Sequence, residues 1–462
     1  MDGRTAALAA TAGWFDQGHF LVELGRRVAH RTESQEATSG PALRAYLTDE
    51  IVPSIEKLGF AWDIHPNPDP RHGPFLIARR IEGADLPTVL IYGHGDVVRG
   101  YDAQWKDGLS PWAVTVVGDR WYGRGTADNK GQHSINLAAL ERVIEQRGRL
   151  GFNVKLLIEM GEEAGSPGLH EICRVHAAAL AADVLIASDG PRLKAEQPTL
   201  FLGSRGAVNW DLVVDLREGG HHSGNWGGLL ANPGTILSHA IASMVDARGR
   251  ILVDGLRPPP IPDSVRQALA PIEPGEPTGP AIDPAWGEPG LTPAERVFGW
   301  NALEVLAYRT GNPDNPVNAI PPRASAHMQL RFVVGTDWEN LEVILRDHLD
   351  RHGFGQVKVV MADEPVMRAT RLDPDMPWVR WAVDSMTRST GKAPAVLPNL
   401  GGSLPNDCFA EILGLPTLWV PHSYPACSQH APNEHMLAPV VREGLQIMTG
   451  LFWDLGEQGI PG

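Results

Sequence analysis

Three short apolar stretches each end in residues that can bind a cation or move a proton. Thr88–Tyr92 runs into Gly93-His94-Gly95-Asp96, Val154–Glu159 is followed by Glu162-Glu163, and Asp183–Ala187 by Asp189. If the three are strands of one parallel sheet, their carboxyl ends lie side by side, where such sheets collect ligands and catalytic groups. One histidine and four acids would then share that edge. Asp128 stands in Gly123-Arg124-Gly125-Thr126-Ala127-Asp128-Asn129-Lys130-Gly131, a glycine-rich loop entering a helix. Glycines at that density suggest a backbone bent to aim one side chain.

Gathered carboxylates repel one another unless cations sit between them. With histidine added, the set suits zinc or a similar divalent ion. A pair of ions bridged by a carboxylate generates hydroxide from water for hydrolysis. The neighbours Glu162 and Glu163 allow a division of labour, one binding metal while the other stays free as general base. Each element is commonplace alone. A single histidine is usually structural, an acid after a strand often caps a helix, and Glu-Glu is often a solvated loop. Their joint placement at three strand ends is what points to a site.

The elements that must hold these residues follow from hydrophobic period. From about 87 to 190, strands alternate with helices, which implies a mostly parallel sheet. Trp112–Val117 and Arg120–Gly123 flank a Gly118-Asp119 turn, and Ile135, Ala139 and Val143 recur at helical spacing before a C-capping Gly148. His170–Ala182 reads as a helix. Val208–Leu216, Thr235–Asp246, Leu303–Tyr308, Ser325–Val333, Trp338–His352 and Val357–Met361 then read as βαββαβ, a small α+β unit with an antiparallel sheet. Eleven prolines between Pro258 and Pro293 interrupt it and predict a rigid surface loop without regular structure, a reading favoured over a substrate gate. The α/β pattern returns with a helix near Pro377–Arg388, a strand at Thr417–Val420 and a long helix from about Glu434. The expected division is therefore a catalytic domain, 1–204 and 366–462, with an inserted domain at 205–365.

The chain has 462 residues, 43% of them hydrophobic, enough for two cores. Its formal charge of -15 disfavours nucleic acid or an anionic membrane as partner. Cys173, Cys408 and Cys427 show no disulfide spacing, no signal peptide is read in Met1–Phe20, and no apolar run is long enough to span a bilayer, so a cytoplasmic setting is expected.

Taken together, several motifs resemble the dinuclear zinc peptidase family of carboxypeptidase G, aminoacylase, acetylornithine deacetylase and carnosinase. They are the runs around His94 and Asp128, Gly161-Glu162-Glu163-Ala-Gly-Ser166, Ser188-Asp189, Gly203-Ser-Arg205-Gly206, His222-Ser-Gly224, Asn318-Ala-Ile-Pro321, Gly401-Gly402-Ser403 and Gln429-His430-Ala-Pro-Asn433-Glu434. They cover nearly the whole chain in order, and the His-Ser-Gly and Gly-Gly-Ser motifs resemble the carnosinase-like dipeptidase branch. The resemblance implies two divalent ions per chain, zinc first, with manganese or cobalt as alternatives. Asp128 would bridge them, His94 and Asp189 would complete one, and Glu163 and His430 the other. His430 is preferred to His435, which is expected on the following helix. Glu162 would be the general base and Asp96 would hold the far nitrogen of His94.

The inserted domain would act as lid and dimer surface in a homodimer. His222 would reach the scissile carbonyl from the partner subunit. Arg331, Asn318, Gly402 and Ser403 would hold the carboxylate of a small-molecule substrate. The implied reaction is hydrolysis, by a peptidase or amidohydrolase, of an amide next to a free carboxylate in dipeptides or N-acyl amino acids. Two departures favour an acylated nitrogen over a free ammonium: Leu400 replaces a glutamate before Gly-Gly-Ser, and no substrate histidine is found near Val366–Arg368. Asp407 is the fallback partner for an amine. Asn129 also stands where an acid commonly follows the bridging aspartate. Rival readings are a deaminase or ureido-hydrolase using the same centre, and a non-catalytic binding descendant.

Overall fold

Apolar runs become strands here because both their faces are covered. In the computed structural model, which describes residues 2–275 and 279–462, Thr88–His94 pairs in parallel with Asn153–Glu159 on one side and Val184–Ala187 on the other. Thr417–Trp419 continues the parallel centre beside Val184–Ala187. All residues of Val184–Ala187 are buried, as continuous apolar strands covered on both faces require. Ala61–His65 and Phe75–Arg80 add antiparallel strands at one margin, and Thr199–Phe201 and Ala395–Leu397 complete eight strands at the other. The sheet is thus mixed around a parallel centre.

Helices Lys130–Arg147 and Ala438–Gln458 cover one face, where Ile135, Leu140, Leu445 and Met448 join one core. A second core on the opposite face holds Leu90, Tyr92, Leu185, Phe201 and Trp419. The first of these helices ends at Gly148 with φ 80°, the left-handed stop expected from sequence.

A four-stranded antiparallel sheet is built from Ala302–Thr310, Arg323–Phe332, Gly206–Asp215 and Lys358–Met361, in that spatial order. Alternate residues of Arg323–Phe332 are buried, so the period of two sets its inner face. Helices Pro233–Met244 and Leu341–Arg351 cover that face, with Leu237 and Leu345 packed among Trp210, Met328 and Leu330. No helix of the described residues is long and apolar enough to cross a membrane.

Three expectations are corrected. The helix at His170–Ala182 is two short ones, Leu169–Val175 and Ala177–Leu180, broken at His176. The final helix begins at Ala438 rather than near Glu434, because His435–Leu437 forms a strand against Arg120–Tyr122. His435 therefore lies on a strand, and sheet pairing has overridden helical period. The Pro-rich insert is not free of regular structure. It carries helices Asp263–Leu269 and Pro293–Phe298, the second started by a Thr292/Glu295 capping box with a proline in its first turn. Val265, Leu269 and Phe298 join the core beside Phe201 and Leu397. Residues 276–278 of this insert lie outside the described residues.

If the insert is packed rather than loose, Leu269→Ala should lower stability by about 2–4 kcal/mol, the usual scale for emptying a core site. Urea unfolding checks this, and a change near zero would mean that the insert is held only at its ends.

Candidate metal centre

The parallel centre brings three carboxyl ends together: His94 closes its strand, Glu162 and Glu163 follow the strand ending at Glu159, and Asp189 lies just past Ala187. Asp128 arrives from the glycine-rich loop. That loop turns at Gly125, with φ 86°, and passes against the first helical turn at Gly131, where a Cβ would stand 2.0 Å from the Thr126 carbonyl oxygen, so a side chain there is excluded. The Asp128–Asn129 peptide bond is cis.

Two donor groups result, sharing Asp128. In the first, His94 Nε2 lies 3.1 Å from Asp128 Oδ1 and 3.5 Å from Asp189 Oδ2. In the second, His430 Nε2 lies 2.9 Å from Asp128 Oδ2 and 3.1 Å from Glu163 Oε2. Each oxygen of Asp128 thus faces a different group. Ligands about 2.1 Å from a tetrahedral ion stand about 3.4 Å apart, so both groups fit one divalent cation each. Glu162 belongs to neither group; its Oε2 is 3.9 Å from His94 Nε2, and its side chain faces the cavity.

Electrostatics point the same way. Burial pushes Glu163 up to about 7, helped by the nearby Asp128 carboxylate. Burial also raises Glu162 well above the ordinary range, against the pull of His94 and with Asp189, Glu163 and Asp128 adding repulsion. Hydrogen bonds to Asp128 and Glu163 raise His430 to about 11. On His94, burial opposes the charge, yet Asp128, Asp189 and Asp96 together hold its pKa well above normal. Without another cation the cluster holds protons, and loading a divalent ion would displace them.

Backbone amides fix the carboxylates that surround the site. Asp96 lies beside the far side of His94, with its carbonyl oxygen 3.2 Å and its Oδ1 3.5 Å from Nδ1. Its two carboxylate oxygens accept the backbone N–H groups of Glu162 and Glu163, each at 3.1 Å. Asp96 therefore steers both the histidine and the Glu-Glu turn. Two further residues carry roles that residue type and spacing did not announce. Fully buried Glu434 accepts the N–H groups of Gly125, Ala127 and Asp128 at 2.9–3.1 Å, and a 2.8 Å ion pair from Arg124. Gln429 Nε2 donates to Asp128 Oδ2 at 2.6 Å. Their only sequence signal was membership of the Gln429–Glu434 stretch.

Gly402, Ser403 and Leu400 line the same cavity of about 420 Å³ as Asp128, Glu162, Asp189 and His430. Ser403 also lines an adjoining polar cavity of about 280 Å³ with Arg331, whose Nη1 donates to Ser403 Oγ at 2.9 Å. His222 and Asn318 are not brought in. Both are exposed, in and beside a two-stranded ladder that pairs His222 with Ala319, and the Asn318 carbonyl accepts the Ser223 N–H. Asp407 does not line the cavity; its carboxylate bonds His170 at 2.7 Å. His435 is turned away, Nε2 to the Tyr424 hydroxyl at 2.5 Å and Nδ1 to the Asn433 carbonyl at 2.9 Å.

The sequence model of peptidase family M20/M25/M40 matches residues 90–454, and the chain belongs to that family, which makes it a metallopeptidase. It is 26% identical over 364 residues to the cysteinylglycine-S-conjugate dipeptidase of Corynebacterium striatum, covering 77% of each chain. To the beta-Ala-His dipeptidase of Mus musculus it is 35% identical over 212 residues, 44% of this chain and 40% of the relative. In fold it is similar to human carnosine dipeptidase 1, with a TM-score of 0.74, 22% identity and coverage of 97% and 99%. It is similar also to the dipeptidase Dug1p of Saccharomyces cerevisiae, with a TM-score of 0.77, 19% identity and full coverage of both.

Replacing His430 by alanine should lower metal content and activity together, whereas His435→Ala should leave metal content unchanged. Elemental analysis of the purified variants checks this. The opposite pattern would move the ligand role to His435.

Proposed function

We propose that this chain uses two divalent ions, zinc by preference with manganese or cobalt as substitutes, to hydrolyse the amide bond of small dipeptides or N-acyl amino acids that end in a free carboxylate. The observation that carries the reading is the split of Asp128, one oxygen to the His94–Asp189 group and one to the Glu163–His430 group, with Glu162 left free beside them. When bound, the ions would supply Lewis acidity at the carbonyl and lower the pKa of water.

The chain's own residues do the rest. Glu162 takes a proton from water at its carboxylate and returns it to the leaving nitrogen, a role suited to a buried acid with a raised pKa. Asp96 keeps His94 and the Glu162 backbone in register, and Glu434 holds the loop that aims Asp128. Arg331, with Ser403 and Gly402, takes the substrate carboxylate, because a guanidinium fork matches it bidentately and the Arg331 cavity adjoins the centre through Ser403. The named relatives from Corynebacterium striatum and Mus musculus act on small dipeptides, which agrees with a substrate of this size.

In this reading residues 205–365 form an inserted lid and dimerisation domain, and residues 1–204 with 366–462 the catalytic one. The edge strand Ala302–Thr310 leaves Val305, Leu306 and Tyr308 exposed, a surface suited to a second copy in a homodimer. His222 and Asn318 would then reach the partner subunit's centre, His222 supporting the oxyanion. Three free buried cysteines suit a reducing, cytoplasmic setting.

Glu162→Gln should keep both ions and lose at least about a hundredfold in turnover, the scale of a lost general base. Metal content and turnover measured on the same preparation check it. Turnover near the wild-type rate with metal retained would contradict the role.

A further inference from the structure

The metal cavity has a second neighbour besides the Arg331 cavity. Pro191 and Leu400 line it on one side and line, on the other, a chamber of about 840 Å³. Its walls include Leu193, Phe201, Trp286, Phe298, Trp300 and Leu397. The Pro-rich insert supplies the outer part of this wall, and its helix Pro293–Phe298 is anchored in the core through Ala294 and Phe298. Further ties hold it: Arg257 bonds Glu288 at 2.9 Å, and Arg296 donates to the carbonyls of Pro284 at 2.9 Å and Glu288 at 3.2 Å. Charged residues at the chamber are largely engaged with partners in this way. Arg192 pairs with Glu443, and Arg205 donates to the Gly401 carbonyl at 3.0 Å. What remains is a mainly apolar space, at the upper end of the roughly 300–1,000 Å³ usual for a small-molecule site.

Position decides what it would hold. The metal cavity shares Ser403 with a small polar space that holds Arg331, and shares Pro191 and Leu400 with a large apolar one. On the functional reading above, on which this inference rests, Arg331 takes the carboxylate half of the substrate. The other half must then leave the centre towards Leu400. Every acid lining the metal cavity, Asp128, Glu162 and Asp189, is a ligand or the base in that reading, so none is spare for an ammonium group. We infer that the chamber built by the Pro-rich insert is the subsite for a bulky apolar group on the acyl side of the scissile bond. That group is either an acyl chain on the substrate nitrogen or an extended apolar side chain on the first residue of a dipeptide.

The test uses the metal-loaded full chain and matched substrates: N-octanoylglycine against N-acetylglycine, and S-benzylcysteinylglycine against alanylglycine. Each added methylene that leaves water favours the longer member, so at least one pair should differ by about tenfold or more in kcat/KM. The pair that differs identifies the source of the apolar group. Val297→Trp, which adds bulk to the chamber wall beside Gly401, should collapse that ratio towards one. Calorimetric binding of the favoured long substrate to Glu162→Gln should weaken by a similar factor when Val297→Trp is added. Equal kcat/KM within both pairs would overturn the chamber assignment while leaving amide hydrolysis intact. No turnover of any of the four would overturn the hydrolytic reading instead, and the chamber would then fail if N-octanoylglycine also showed no saturable binding.

Discussion

Asp128, Glu162, Asp189 and His430 line one cavity, and Glu163 and His94 close around Asp128 beside it. Like charges at this range cannot all stay ionised in a water-poor pocket unless a cation lies between them. The raised pKa values of Glu162 and Glu163 and of both histidines express that constraint: the cluster takes up protons where it lacks other positive charge. Much of the surrounding structure serves to hold the carboxylates in place despite it. Asp96 is bound by the amides of Glu162 and Glu163, and Glu434 by those of Gly125, Ala127 and Asp128. These buried acids are stabilised by oriented N–H groups, and their own positions in turn set the backbone that presents His94, Asp128, Glu162 and Glu163.

The same constraint explains the layout around the centre. Parallel strands deliver His94, the Glu-Glu turn and Asp189 to one edge. The tie from Arg331 to Ser403 then links the four-stranded sheet to that edge. Leu400 and Ser403 meet residues 203–205 through further bonds, Leu400 N–H to the Gly203 carbonyl, Arg205 N–H to the Leu400 carbonyl, and Ser403 Oγ to the Arg205 carbonyl. The result is a centre with a polar neighbour on one side and an apolar one on the other. On the proposed reading, such asymmetry would orient a substrate that has a carboxylate at one end.

Much of this was legible in the residues. His94, Glu163 and Asp189 follow apolar runs and Asp128 sits in a glycine-rich loop, so their convergence could be read from the residues, whereas His430 was placed only by the family resemblance of its Gln429–Glu434 stretch. Glu434 could not be assigned its role that way. Its contacts are with backbone amides some three hundred residues earlier, which no side-chain type in the loop announces. Proline count misjudged the insert, because Val265 and Leu269 form a helix only where a core from distant strands receives them. His435 went to a strand for a similar reason: pairing with Tyr122 outweighed the helical pattern after Glu434. His222 and Asn318 could not be placed from their motifs either: both lie away from the cavity, beside the short ladder of His222 with Ala319.

The central claim, two cations joined by one aspartate, is tested most directly by counting metal in the purified chain and in Asp128→Ala after equilibration with zinc. Two ions per chain are expected for the unaltered protein, one for each donor group. Asp128→Ala should lose most of both, because each group loses a ligand, while circular dichroism shows the chain still folded. An unaltered protein that binds no zinc, or a folded Asp128→Ala that retains two ions, would contradict the account.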